Sequence, residues 1–251
     1  MCLILLGWQT PPGHRLVLAA NRDEFHDRPA EAAHWWAEPG LILGGKDLQA
    51  GGAWLGLDRR GRYAVVTNYR EPGVPTSGKR SRGELVASCL ASSVPLSDWL
   101  EELDAGQDDY GGYNLIVGDE HQMHYLTNRG DDRRFLGPGI YGLSNHRLDT
   151  PWPKVVAVRT GLHWLIDDDR VDPDALFELL ADREPAPDDE LPHTGVPLEW
   201  ERALSAAFIV GEDYGTRAST VVLVTADGGV VFEERRFGPG GIPAGDSRFS
   251  F

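Results

Sequence analysis

An α+β layered domain is the fold class this sequence predicts, and three observations carry that prediction. Apolar runs of strand length, joined by turn signals, gather towards both ends of the 251-residue chain. Segments with helical apolar spacing occupy the middle. No run approaches the roughly 18 apolar residues of a membrane span. Hairpins at the ends with helices between them suit sheets and helices stacked as separate layers. With no repeat and no compositional break, residues 1–251 read as one domain.

The elements follow in order. Residues 3–8, opening Leu3-Ile4-Leu5-Leu6, and residues 15–20 are apolar runs around Thr10-Pro11-Pro12-Gly13, a strong turn signal. They predict a hairpin buried on both faces, with Asn21-Arg22-Asp23-Glu24 standing at the end of its second strand. Residues 25–50 carry Trp35-Trp36, Pro39-Gly40 and Gly44-Gly45 and read as loop with short strands. Residues 53–57 and 62–67 flank Asp58-Arg59-Arg60-Gly61 as a second hairpin. Residues 82–90 and 96–103 have helical spacing, with Ser97 placed to cap the second. Residues 113–118, 123–127 and 140–144 read as strands. Thr150-Pro151 and Asp172-Pro173 each pair a capping residue with proline at the first helical position, for helices to about 166 and 180. Residues 183–197, rich in Pro, Asp and Glu, predict a mobile surface loop. Residues 206–210, 220–225 and 230–235 read as strands, the last two turning at Ala226-Asp227-Gly228-Gly229.

Charge narrows the partners. The chain carries 39 acidic against 24 basic residues, a net charge of −15. Nucleic acid and anionic membrane surfaces are repelled by such a surface, so neither is an expected partner. Thr76-Ser77-Gly78-Lys79-Arg80-Ser81-Arg82 is a local basic cluster that reads as a solvated loop. The apolar run at the N-terminus is too short for a signal segment, and the two cysteines, Cys2 and Cys89, point to a reducing cytoplasm. Zinc-type spacing is absent, His121 and His124 read as strand or turn residues, and no metal or cofactor is expected.

Cys2 is the residue with the most chemistry in reach. A small side chain at position 2 permits removal of Met1. The new terminus would carry a thiol and a free α-amine on one residue, and an amine with a pKa of about 7.7–8.0 can serve as base to the thiol. The competing reading is a small apolar residue opening a buried strand. Polar residues also gather where strands stop: Arg22 and Asp23, Asn68, Asn145 and Arg217. Each alone is an ordinary turn residue. Together their types suit acyl transfer: asparagine amides donate to an oxyanion, a carboxylate holds an amine, and an arginine lowers a cysteine pKa.

Asn21-Arg22-Asp23-Glu24-Phe25, followed by Arg28-Pro29 and Trp35, resembles the signature of the NRDE family, the transport and Golgi organisation protein 2-like proteins. The likeness runs on through Gly51-Gly52-Ala53-Trp54-Leu55-Gly56, Thr67-Asn68-Tyr69-Arg70 and Tyr113-Asn114-Leu115-Ile116 to Tyr141-Gly142-Leu143-Ser144-Asn145, Thr150-Pro151-Trp152-Pro153-Lys154 and Tyr214-Gly215-Thr216-Arg217. In motif order the chain is also similar to the N-terminal nucleophile hydrolases that include bile salt hydrolases and penicillin V acylases. Asn21 and Asp23 align with their Asn and Asp, while Ala20 stands where their arginine would be and Arg22 fills the variable position. Asn68, Asn145 and Arg217 fall where those enzymes keep two asparagines and a late arginine.

That resemblance implies a four-layer αββα sandwich. It implies an amidase or acyltransferase in which Cys2 attacks, Asp23 positions the amine, Asn68 and Asn145 hold the oxyanion, and Arg217 with Arg22 tunes the thiol or binds an anionic group. Asn21, Trp35, Trp36 and Trp54 are then the expected substrate-binding residues. The alternative is a binding or carrier protein on a retired hydrolase fold, since the animal relatives are linked to haem trafficking and to lipid or acyl-CoA homeostasis. A pocket rimmed by the three tryptophans would suit haem or an acyl ligand; equally, the tryptophans can be core.

Overall fold

The computed structural model describes residues 2–10, 13–37, 41–75, 78–130 and 132–251. The expected features at Pro11-Pro12, Pro39-Gly40 and Thr76-Ser77 lie outside the described residues. In chain order the elements are β1 (Cys2–Trp8), β2 (His14–Phe25), β3 (Ala30–Trp35), β4 (Ile42–Asp47), β5 (Leu55–Asp58), β6 (Tyr63–Asn68), α1 (Gly83–Ala91), α2 (Leu96–Gly106), β7 (Tyr113–Gly118), β8 (Met123–Thr127), β9 (Asp132–Phe135) and β10 (Gly139–Leu143). Then come α3 (Pro153–Asp167), α4 (Pro173–Leu180), α5 (Leu198–Ala203), β11 (Tyr214–Thr225), β12 (Val230–Phe237) and β13 (Pro243–Ser250). The chain gathers into two compact units, one of Met1–Asp27 with Gly137–Phe251 and one of Arg28–Leu136.

The first unit is a six-stranded antiparallel sheet in the order β10-β1-β2-β11-β12-β13. Side chains alternate between its faces. Leu3, Leu5, Val17, Ala19, Val221 and Leu223 meet Val155, Val158 and Leu162 of α3 and Leu176, Phe177 and Leu180 of α4 in one apolar cluster. Gly142 lets α3 approach β10: a Cβ there would lie 2.6 Å from Val155 Cγ1. The cap of α4 is as expected, Asp172 accepting from Ala175 N at 2.9 Å with Pro173 at the first helical position. The start of α3 is two residues later than expected, at Trp152-Pro153. Pro153 bars the residue before it from helical geometry, and Thr150 is used in a turn, its hydroxyl donating to Arg147 O at 2.8 Å.

The second unit is a seven-stranded antiparallel meander, β3 to β9 in sequence order. Its core joins Trp36, Ile42, Ala64, Val66, Leu115 and Val117 to Leu85, Val86 and Leu90 of α1 and Leu96, Trp99 and Leu100 of α2. Ser97 does not cap α2. Pro95 holds that position without a side-chain bond, and the Ser97 hydroxyl donates to Asp98 Oδ1 at 2.9 Å inside the first turn.

Other differences have physical causes. Residues 206–210 are not a strand; residues 206–209 are buried while Val210 is exposed, and two of their amides go elsewhere, Phe208 N to Asp182 O at 2.7 Å and Ile209 N to Thr216 Oγ1 at 2.9 Å. The edge strands β9 and β13 are polar and largely exposed, so they lack the alternation of a half-buried strand. Residues 183–197 lie largely at the surface and are bonded to α5 through Thr194 N to the buried Glu201 at 2.7 Å, and to the turn after it through Ala186 N to Ser205 Oγ at 2.8 Å. Among the described residues no helix is long and apolar enough to cross a membrane.

Candidate active site at the start of β1

Asn21, Arg22 and Asp23 do not follow β2 but lie inside it, because β11 pairs with β2 as far as Tyr214 opposite Phe25. The register then sorts the motif between the two faces. Cys2 is paired with Arg22 and Leu3 with Asn21. Directly opposed residues share a face, with Cβ atoms about 4.5–5.5 Å apart. Cys2 and Arg22 therefore look out from one face, in a row continued by Ala218 and Arg236. Asn21 and Asp23 point to the other face, with Leu3, Ala19 and the helices α3 and α4.

Asn21 is fully enclosed and its side chain is saturated. Nδ2 donates to Leu180 O at 2.9 Å and to Ala207 O at 2.8 Å, and Oδ1 accepts from Ser219 Oγ at 2.6 Å. Leu180 ends α4, where a carbonyl has no partner inside the helix. Asn21 thus joins the sheet to the end of α4, a scaffold contact in place of the substrate contact the motif suggested.

Asp23 is 1% exposed and lies opposite Thr216, whose hydroxyl donates to Asp23 Oδ1 at 2.7 Å. Burial pushes the carboxyl above its ordinary value, against the opposing pull of Lys154, the Thr216 bond and Arg22. Cys2 keeps some exposure as a residue, yet loss of hydration is the largest influence on its thiol and pushes the pKa up; the Asp23 charge adds to this, while Arg22 and the Asp23 backbone N–H, which donates to the thiol, oppose it. Cys89 is driven up to about 12 by burial in the core of the other unit. Burial and the Asp23 charge thus oppose ionisation of the thiol, while Arg22 and the Asp23 N–H favour it.

Asn145 is completely buried, just past β10. Since Leu143 is paired with Ile4, the chain leaving β10 runs past the start of β1. The Ser144 hydroxyl, with one proton to donate, stands 3.1 Å from Cys2 O and 3.2 Å from Asn145 Oδ1. Arg217 lies within β11 at a bulge: Thr216 faces Asp23 and Ala218 faces Arg22, leaving Arg217 as the extra residue. Its Nη1 donates to Phe25 O at 3.0 Å. Arg22 is buried, with Nη2 3.9 Å from Glu24.

The structure therefore brings Cys2, Arg22, Asp23 and Asn145 together and sets Arg217 at the margin. Asn68 belongs to the other unit, at the end of β6 opposite Tyr113. Of the tryptophans, Trp36 is core, its indole N–H donating to Gly44 O at 3.0 Å. Trp54 packs against Gly45, and Trp35 lies under the Arg59 guanidinium at 4.1 Å. Among the described residues no cluster of ligating side chains suits a metal ion. Sequence reasoning missed Thr216 and Lys154 beside Asp23. Both stand in motif segments of the family signature, Tyr214-Gly215-Thr216-Arg217 and Thr150-Pro151-Trp152-Pro153-Lys154, which was the available signal.

Residues 1–239 match the family Transport and Golgi organisation 2. A "Transport and Golgi organization protein 2 homolog" of Bos taurus is 39% identical over 94% of this chain and 92% of its own length, and the Homo sapiens homolog is 36% identical over the same shares. The Drosophila melanogaster protein of that name is 28% identical, over 93% of this chain and 91% of its own length. Among solved structures, a Caenorhabditis elegans N-acylethanolamine-hydrolyzing acid amidase ortholog matches 88% of this chain and 92% of its own at a TM-score of 0.52 and 14% identity. A mutant conjugated bile acid hydrolase from Clostridium perfringens matches 100% of this chain and 92% of its own at 0.53 and 9%. These likenesses show the fold class, an α+β sandwich of N-terminal nucleophile hydrolase type.

Proposed function

The chain belongs to the Transport and Golgi organisation 2 family, and from that membership and the surroundings of Cys2 we propose that it is a cysteine amidohydrolase or acyltransferase acting on a C–N amide bond of a small acylated molecule. The observation that carries the reading is the pairing of Cys2 with Arg22, with the Asp23 backbone N–H directed at the thiol and its buried carboxylate next in the strand. Removal of Met1 exposes the α-amine of Cys2. The thiol proton passes to that amine as Sγ bonds to the acyl carbon. The carbonyl oxygen becomes an oxyanion, which accepts from the Asn145 side chain.

The ammonium returns its proton to the amide nitrogen as the C–N bond breaks, leaving a thioester. Water or an acceptor amine then attacks, and the thiol is restored. Because burial opposes loss of the thiol proton, a built-in proton acceptor aids attack, and the amine is the one this arrangement supplies. Asp23 stabilises the ammonium, Arg22 the developing thiolate, and Arg217 at the margin meets an anionic group of the substrate. The reducing cytoplasm, where both cysteines stay free, is the compartment we assign.

Turnover of a panel of N-acyl amides by Met1-free protein tests this. Loss of one oxyanion donor, Asn145→Ala, should lower kcat by about 10²–10³. Full activity in Cys2→Ala would end the reading. The alternative is a carrier of haem or of an acyl ligand on the same fold, in which Cys2 would be a resting thiol. A Soret shift on haem titration, with Cys2 no more reactive than Cys89, would favour the carrier.

A further inference from the structure

Lys154 has no part in the steps above, yet its position is costly. It is 5% exposed, and lysine is almost never so buried unless paired. It is also the second residue of α3, where the positive end of the helix dipole disfavours a cation, and the N-cap Trp152 has no side-chain bond to offset it. The start of α3 is fixed over β1 and β2 by Trp152 and Val155, which pack with Leu3, Leu5 and Ala19. Asp23 emerges from that same face of β2. Among the carboxyl groups with shifted titration, Asp23 is the one on which Lys154 acts, as its strongest stabilising charge.

We propose that Lys154 is a positioning residue of the site: its buried ammonium keeps the Asp23 carboxylate charged, so that Asp23 can hold the α-amine of Cys2. This rests on the reading of Cys2 as an N-terminal nucleophile. It gives a reason for a cation at the start of α3, since a carboxylate buried without a counter-charge would take up a proton and lose its hold on an ammonium. The groups facing Asp23 are Lys154 from α3 and Thr216 and Tyr214 from β11; Cys2 of β1, whose α-amine is the group to be held, and Arg22 and Glu24 on β2 itself project their side chains from the opposite face. Of the side-chain cations acting on Asp23 among the described residues, Arg22 is shared with Cys2 across the register, which leaves Lys154 on Asp23's own side.

The test is the pH dependence of iodoacetamide alkylation, followed separately on the Cys2 and Cys89 peptides by mass spectrometry. Met1-free protein is compared with Lys154→Arg, Lys154→Met and the double variant Asp23→Asn/Lys154→Met. Lys154 lowers the Asp23 pKa, so its loss raises it. Below the Asp23 pKa the ammonium that takes the thiol proton is no longer held, so the acid limb that Asp23 imposes on Cys2 alkylation, separate from the thiol's own ionisation, moves to higher pH in Lys154→Met, with a rate about tenfold lower for each unit of movement at a pH on that limb. Lys154→Arg keeps the limb in place, and Cys89 is unchanged throughout. Superimposable profiles for Lys154→Met and the parent would overturn the proposal while leaving Cys2 as nucleophile. Equal rates at Cys2 and Cys89 in the parent would instead overturn the nucleophile itself. If Lys154→Met does not fold, the double variant decides. Removing both charges together should restore the fold and leave only the limb of the thiol's own ionisation, and an unfolded double variant would refute the pairing.

Discussion

Replacing Asn21 with alanine separates a scaffold residue from a substrate ligand. The substitution removes three buried hydrogen bonds, to Leu180 O at 2.9 Å, to Ala207 O at 2.8 Å and from Ser219 Oγ at 2.6 Å. At about 1–1.5 kcal/mol each for neutral bonds whose partners stay buried, the loss is about 3–5 kcal/mol. That is a large share of the roughly 5–15 kcal/mol that holds a domain folded. The carbonyl at the end of α4 loses its cap, so the packing of α4 on the sheet loosens first. Asn21→Asp should be no better at neutral pH: a carboxylate still accepts from Ser219 but offers nothing to the two carbonyls. It should recover in part as the pH falls and the carboxyl gains a proton to donate. Urea denaturation followed by far-UV circular dichroism measures both. A loss below about 1 kcal/mol for Asn21→Ala, with KM raised instead, would refute the scaffold role and return Asn21 to the substrate site.

Two further predictions concern the second unit. Gly52→Ala should destabilise strongly, because its Cβ would lie 2.5 Å from Gly83 O and 2.7 Å from Glu84 N, backbone atoms at the start of α1 that cannot move aside singly; an unchanged melting temperature would show that this contact is relieved at no cost. Glu71 takes a bidentate grip from Arg129 at 2.5 and 2.6 Å and a bond from Gly112 N at 3.0 Å, and chiefly the Arg129 bonds hold its carboxyl below the ordinary range. Its stabilisation is therefore complete above the unfolded value of about 4.3 and is lost as pH falls through the lower folded value. Glu71→Gln should cost about 1–2 kcal/mol at neutral pH, discounted for partial exposure. The variant should also lose the parent's drop in melting temperature below about pH 4, and parallel pH profiles would contradict the assignment.

The sequence makes the hairpins and the helical middle legible, because apolar runs of strand length and proline-bearing caps are local signals. Asp172-Pro173 caps α4 as its composition dictates. The site is legible in its residue types and much less so in its geometry. Nothing local says that β2 runs on to Phe25, which places Arg22 beside Cys2 and turns Asn21 and Asp23 towards the helices. That follows from pairing with β11, nearly 200 residues away in the chain. The bulge at Arg217 is fixed by the same pairing. Trp36 reads as a pocket aromatic beside Trp35, but just past β3 it turns into the core, its indole N–H bonded to Gly44 O. Nothing local marks Lys154 beyond its place in the Thr150-Pro151-Trp152-Pro153-Lys154 segment until the sheet face beneath α3 is known to carry Asp23.

The account stands on Cys2 as the atom that forms and releases an acyl bond. Its most direct test is to trap that bond: Met1-free protein is mixed with an activated N-acyl amide, quenched in acid and digested, and the peptides are weighed. The account predicts one acyl group on the N-terminal peptide beginning at Cys2, none on the Cys89 peptide, and none in Cys2→Ala. An N-terminal peptide that stays unmodified while the amide is turned over, or an acyl group found on Cys89, would contradict it.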